Sequence, residues 1–272
     1  MFITSHRDEL HMYKKIRKRP EKRAHRALTT WKESETKLMK LFCLFCLCAL
    51  QQKQTPLHLA AQFGQLSVCS LLLELGASLD STDDHGQKPI HLAAQSNKPE
   101  VVKLLVTKRP NLVSVSTKDG STCAHIAASG GSIAVIEELM KHDLNVVLNS
   151  RNKVNDSTPL HIATEGGHFD VVKKLLDAGA SASDENKHGL TPIHIAAKFG
   201  HTELIDKFHK SNVNLRQLSR KTGLTPLHIA AYYGKEGTIT SYCLHFFSTC
   251  QLLFNSPKHQ KLPKVYRKCQ VL

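Results

Sequence analysis

The chain has 272 residues, 41% of them hydrophobic and 22% charged, with a formal net charge of +14. Such a balance excludes a collagen-like chain, a disulfide-stapled mini-protein and a wholly disordered polymer, and allows one or two globular domains. The charge is unevenly placed: residues 1–54 carry +8 and residues 235–272 carry +5, whereas residues 55–234 stand at +1.

Residues 1–53 read as a basic, poorly ordered arm. Its charge centre, Lys14-Lys15-Ile16-Arg17-Lys18-Arg19, could meet acidic lipid, nucleic acid or an acidic protein surface. A tract so charged and so poor in apolar residues reads first as solvated chain. Nucleic acid is not expected as a partner, because no aromatic interleaving and no known binding module accompanies the cations. The arm ends in a short apolar segment, Leu41 to Leu50, of ten residues, about half the ~20 that cross a bilayer. It begins too far into the chain for a secretion leader. Cys43, Cys46 and Cys48 lack a second ligand pair, so zinc is not expected. A later apolar stretch, Ile239 to Phe254, is interrupted by His245 and Gln251 and is not read as a span. Eight cysteines are too few for a disulfide scaffold; Cys69 and Cys123 fall in apolar helical patterns as buried free thiols, which fits the cytoplasm.

From residue 55 the chain repeats itself. Thr55-Pro56-Leu57-His58-Leu59-Ala60-Ala61 returns as Lys88-Pro89-Ile90-His91-Leu92-Ala93-Ala94 and as Thr122-Cys123-Ala124-His125-Ile126-Ala127-Ala128. It returns again from Thr158, Thr191 and Thr225, and the six histidines are 33, 34, 36, 33 and 34 residues apart. Threonine ahead of proline is a helix start: an oxygen to cap the first turn, then a residue without an N–H to orphan. Leucine and isoleucine face a core, and paired alanines permit close helix approach. About ten residues on, Val68, Leu71, Leu72 and Leu75 begin a second, amphipathic helix, repeated by Val101, Leu104 and Leu105 and by Val171, Val172, Leu175 and Leu176.

This pattern resembles the ankyrin repeat. The resemblance implies an all-α solenoid of stacked antiparallel helix pairs with short β-hairpin fingers, about five full repeats and a degenerate sixth over residues 54–246, followed by a basic, disordered tail over 247–272. Each motif histidine is expected to hydrogen-bond locally or to the adjacent repeat, since one imidazole per repeat cannot share a metal ion.

Four departures stand out. Cys123-Ala124 replaces Pro-Leu in repeat three, so that helix start is expected to be less firmly set. The 36-residue spacing is expected to enlarge the finger between repeats three and four. Repeat five lacks the usual Gly-Ala after its second helix, predicting a less well packed outer helix. In repeat six the stripe projects onto Thr238, Ser241, Tyr242 and His245, and an apolar stripe returns only with a one-residue shift to Ile239, Tyr242, Cys243 and Phe246.

Lys118-Asp119-Gly120-Ser121-Thr122-Cys123-Ala124-His125, the stretch Asn149 to Asp156, and Gly223-Leu224-Thr225-Pro226-Leu227-His228 running to Tyr232-Tyr233-Gly234 resemble the ankyrin domain of the NompC-type (TRPN) transient-receptor-potential mechanosensory channels. That resemblance implies a cytosolic array attached to a cation channel, with channel subunits and microtubules or another cytoskeletal protein as partners. Membrane contact would come only from the basic arm or from a channel domain that this chain lacks. The other reading is a free-standing cytosolic adaptor that binds a protein along its concave groove.

Ankyrin proteins bind along the first helices and the fingers. The helix ladder here is Gln62, Gln95, Ser129, Glu165, Lys198 and Tyr232, with Phe63, Phe199 and Tyr233 beside it. Asp84, His85, Lys118, Asn155, Lys187 and Arg220 are the finger candidates. No phosphate loop, metalloprotease motif or nucleophile elbow is present, so neither catalysis nor a cofactor is expected.

Overall fold

A computed structural model describes residues 53–245 of the chain. The basic arm, the Leu41–Leu50 segment with its three cysteines, the tail and Phe246 lie outside the described residues. Thirteen α-helices are described: α1 (Pro56–Gln62), α2 (Leu66–Glu74), α3 (Pro89–Gln95), α4 (Pro99–Lys108), α5 (Cys123–Ser129), α6 (Ile133–Met140), α7 (Leu144–Asn149), α8 (Pro159–Glu165), α9 (Phe169–Asp177), α10 (Pro192–Phe199), α11 (Thr202–Lys210), α12 (Pro226–Tyr232) and α13 (Glu236–His245). A 3-10 turn, Pro110–Ser114, follows α4. The chain forms two compact units that divide after Lys118. In the first, α1 packs on α3 and α2 on α4; in the second, α5, α8, α10 and α12 stack in sequence beside α6, α9, α11 and α13.

Each first helix starts where its motif says, and the histidine explains how. The Nδ1 of His58 accepts the N–H of Thr55 at 3.0 Å, and His91 does the same for Lys88 at 2.9 Å. His125, His161, His194 and His228 repeat the bond to Thr122, Thr158, Thr191 and Thr225 at 3.2–3.3 Å. A reciprocal capping box thus closes each threonine-led helix. At Lys88 only the histidine half can exist, because an ammonium offers no acceptor; Lys88 Nζ pairs instead with Asp80 at 2.8 Å. Repeat three keeps its box without proline, so α5 begins in the same register as its neighbours, and the expected looseness is not found.

The side chains facing the core are those the sequence pattern names: Leu57, Ile90, Leu160 and Ile193 on first helices, and Leu72, Val101, Leu105, Val171 and Leu175 on second helices, are all buried. Leu71, Leu75, Leu104 and Leu176 are only half-buried, at the edge of the stripe. Cys69 and Cys123 are free and buried, and desolvation lifts their thiols to about 11 and about 12, which keeps them protonated and unreactive.

The fingers close as turns, with no strand among the described residues. A backbone bond spans the base of four of them: Asp83 N to Gln87 O at 2.9 Å, Asn152 N to Ser157 O at 3.0 Å, Asn186 N to Leu190 O at 3.0 Å and Ser219 N to Leu224 O at 2.9 Å; Ser116 and Thr122, which flank the remaining finger, are isolated bridge residues. Asp83, Asn152 and Asn186 brace their turns from within, each carboxyl or amide oxygen accepting two backbone N–H groups at 2.8–3.1 Å.

The departures of repeats four and five also resolve differently from their reading. The extra residues before repeat four build helix α7, which Asp143 caps by accepting the N–H of Val146 at 3.0 Å and which buries Val147 and Leu148. The insertion therefore adds core, and the following finger is closed like the others. Repeat five also packs fully: Leu204, Ile205 and Phe208 are buried, and Phe208 is the largest completely enclosed side chain among the described residues. Its helix ends in the same Schellman geometry as the glycine-ended repeats. Asn212, at φ 56°, takes the left-handed position, Asn212 N donates to His209 O, and Val213 N donates to Phe208 O, both at 3.0 Å.

Repeat six keeps the projected register and fills it with polar residues. Thr238, Ile239, Ser241 and Tyr242 are the buried face of α13, so no shift occurs and Cys243 is only half-buried. Ser241 Oγ donates to Asp206 Oδ1 at 2.8 Å, and Thr238 Oγ1 lies 3.5 Å from Thr202 Oγ1. The buried face of α13 thus carries hydroxyls where α9 and α11 bury Val171, Val172, Leu175 and Leu204, Ile205, Phe208; the earlier seams add one ion pair each, Lys174 to Glu137 at 2.6 Å and Lys207 to Asp177 at 3.0 Å. Tyr242 is buried with its hydroxyl unpartnered, which costs the fold about 1–3 kcal/mol of lost hydration. Tyr242→Phe is expected to leave the urea midpoint unchanged or raise it; a loss above about 1 kcal/mol would show that the hydroxyl is satisfied.

Candidate protein-binding surface

The ends of the first helices in the second unit gather the most distinctive surface. Lys198 and Phe199 close α10, and Tyr232 and Tyr233 close α12. Lys198 Nζ stands 5.3 Å from the centroid of the Phe199 ring and 5.6 Å from that of Tyr233, within cation–π range of both. Tyr233 meets Tyr232 edge to face at 5.1 Å, and Phe199 stacks on His201 at 6.1 Å. Phe199, Tyr232 and Tyr233 are nevertheless 39%, 67% and 48% exposed. They are outside the core because the core at these positions is already closed by Ala196, Ala197, Ala230 and Ala231. Four sequence candidates therefore converge. Phe63, 60% exposed, occupies the equivalent place in the first unit with Gln62 half-buried beside it, and Gln95 is exposed at the end of α3. Ser129 and Glu165 are exposed, and each lends its carbonyl to a histidine of the next repeat: His168 Nε2 donates to Ser129 O at 2.8 Å and His201 Nε2 to Glu165 O at 3.0 Å.

The finger candidates separate into two kinds. Asp84, His85 and Lys118 are exposed in the first unit; Lys53 pairs with Asp84 at 3.1 Å, and Lys118 Nζ donates to the Asp84 carbonyl. In the second unit Lys187 and Arg220 are exposed, whereas Asn155 is half-buried and its carbonyl accepts the N–H of Lys187 at 2.7 Å. Arg220 lies 3.7 Å from Glu185. Two residues were missed in the sequence. Lys153 donates its N–H to Asp119 O at 2.8 Å, and Lys221 Nζ donates to Lys187 O. Both hold the place in their fingers that Lys118 and Lys187 hold in theirs. The signal was present as Lys-x-Gly at Lys118, Lys187 and Lys221, and was hidden at Lys153, where Asn155 follows and Asp156 takes the positive φ, 54°.

The motif histidines are structural on both ring nitrogens. A backbone N–H can only donate, so Nδ1 is the acceptor and Nε2 carries the proton. Nε2 then donates to Gln87 O from His58 at 3.0 Å, to Val115 O from His91 at 3.1 Å, to Ser157 O from His125 at 2.9 Å, to Asp184 O from His161 at 3.1 Å and to Leu224 O from His194 at 3.2 Å. Burial is the main cause of a lowered pKa at all five, reaching about 4 for His91 and His161. Among the described residues no three His, Cys, Asp or Glu side chains are grouped to hold a metal, and no helix is long and apolar enough to cross a membrane.

Models of ankyrin repeats match residues 30–114 and 110–186, in three-copy form, and residues 175–230, in many-copy form. The chain belongs to the ankyrin-repeat family. It is also similar to the human neurogenic locus notch homolog protein 4, 32% identical over 87 residues, which is 32% of this chain and 4% of that protein. The family match begins at residue 30, within the segment read as a basic arm.

Proposed function

We propose that this chain is a non-catalytic protein-interaction scaffold, the cytosolic ankyrin region of a mechanosensory cation channel of the transient-receptor-potential type, which tethers it to the cytoskeleton. The observation that carries the interaction reading is the exposed aromatic group of Phe199, Tyr232 and Tyr233 gathered around the half-buried Lys198. Aromatic and cationic side chains held in fixed mutual geometry, yet left to solvent, are the usual anchors of protein interfaces. Stacked repeats also suit a load-bearing role, because each repeat contacts only its neighbours and tension spreads over many small interfaces. The likeness of Lys118 to His125 and of Gly223 to Gly234 to the NompC-type channels supplies the finer part of the reading. On this reading the chain works at the cytoplasmic face of a membrane, with channel subunits and microtubules as its partners.

The test is co-sedimentation of the purified chain with stabilised microtubules. The chain is expected in the pellet, and Tyr232→Ala combined with Tyr233→Ala is expected to weaken binding about thirtyfold, the cost of one interface hot spot of about 2 kcal/mol. A chain that stays in the supernatant removes the tether and leaves the free-standing adaptor. An unaffected double variant moves the binding surface away from the aromatic group.

A further inference from the structure

Each finger of the second unit rests on the one before it, and the residue at the point of contact is always a lysine. Lys153 lies over Asp119 and Gly120, Lys187 over Asn155, and Lys221 over Lys187 and Gly189. All three are exposed. The finger carboxylates are mostly taken: Arg151 binds Asp156 at 3.1 Å and Asp184 at 2.9 Å, and Glu185 faces Arg220. Among the described residues Lys153 and Lys187 make no ion pair, and Asp119 is the one carboxylate of these fingers outside such a pair. The ridge is thus a row of like charges at a fixed interval, one per repeat.

We propose that this ridge receives an acidic segment of a partner protein in the polyproline-II conformation, with a carboxylate at every third residue. The proposal rests on the reading of the chain as an interaction scaffold and names the chemistry of one partner surface. Packed helices stand about 8–10 Å apart, which sets the interval between lysines. A polyproline-II chain turns once every three residues with a rise of about 3.1 Å each, so every third side chain shares a face at nearly the same interval. Its backbone carbonyls are free of internal hydrogen bonds and can meet further donors next to the lysines in sequence, the exposed His188 and Arg220. An α-helix has no free carbonyls along its length, and a β-strand turns every third side chain to the opposite face.

The test is fluorescence anisotropy with a labelled peptide of Glu-Pro-Pro triplets. Two controls accompany it, a peptide of the same composition with its glutamates in one block and an alanine-rich helical peptide with glutamate at every seventh position. The triplet peptide is expected to bind about tenfold more tightly than either control, as three modest exposed ion pairs acting together allow. Lys153→Glu, Lys187→Glu and Lys221→Glu combined should abolish that preference, while Lys173→Glu on the exposed side of α9 should not change it. If the triple reversal fails to fold, the corresponding triple glutamine variant takes its place. Equal binding of the blocked peptide reduces the ridge to generic electrostatics and overturns the proposal, as does equal binding of the helical peptide or a triple variant that keeps the preference. Microtubule pelleting that persists without triplet binding defeats this inference alone. Loss of pelleting with triplet binding intact defeats the cytoskeletal reading alone.

Discussion

Acidification from pH 7 to pH 4 is expected to strip this fold of most of its stability. His58, His91, His125, His161 and His194 are neutral in the folded chain, and burial holds each below its ordinary value of 6.5. The unfolded chain therefore takes up protons first. Stability is fully present above 6.5 and falls as the pH drops towards the folded values, about 4 for His91 and His161. Those two alone contribute a loss on the order of 3 kcal/mol each at the acid end. Protonation also removes the acceptor at Nδ1, so the charged ring must give up the helix-capping bond as well as enter a dry site. The Asp80 carboxylate lies outside this window: Arg109 and Lys88 hold it near 2, so its contribution is lost only below pH 4. Urea midpoints at successive pH values are the measurement, and a flat profile between 7 and 5 would contradict the capping geometry.

Gly120→Ala is expected to cost at least about 3 kcal/mol, and Gly179→Ala about 1 kcal/mol. Both glycines have positive φ, +78° and +94°, so both substitutions carry the left-handed penalty. They differ in their surroundings. A Cβ at Gly120 would stand 2.7 Å from the backbone nitrogen of Lys153, whereas one at Gly179 would meet nothing within 4 Å. The Lys153 nitrogen cannot retreat without giving up its 2.8 Å bond to Asp119 O, so the clash falls on the contact between successive fingers. Denaturant unfolding of the two variants side by side separates the shared strain from the contact, and similar losses for both would mean that the fingers yield easily.

The parts of this fold that recur in residue type could be read from the chain. Histidine sets six helix starts, four of them with both threonine and proline, and the second-helix stripes name the buried leucines and valines. The misreadings came from counting residues where conformation mattered. Three surplus positions look like a longer loop, but Asp143 followed by Val147 and Leu148 is a cap and two core residues, and so they fold as α7. The missing glycine of repeat five looks like a weak end, but Asn212 tolerates the same left-handed backbone. In repeat six the eye prefers an apolar stripe, yet Thr238 and Ser241 stay in register because their hydroxyls find partners across the seam. The binding candidates were legible as a ladder of positions. The meeting of Lys198 with Phe199 and Tyr233 was not, because it depends on how two helix ends are aligned in space.

The hydrogen-bonded seam under α13 gives the molecule a preferred point of failure. Hydroxyl contacts exchanged for water lose little, whereas opening the Phe208 layer exposes apolar surface; the terminal module should peel away first under heat or load, with its amides exchanging fastest. An array that releases the repeat-six module reversibly while repeats three to five hold yields slack in one discrete step, and so carries a mechanical fuse at the α11–α13 seam.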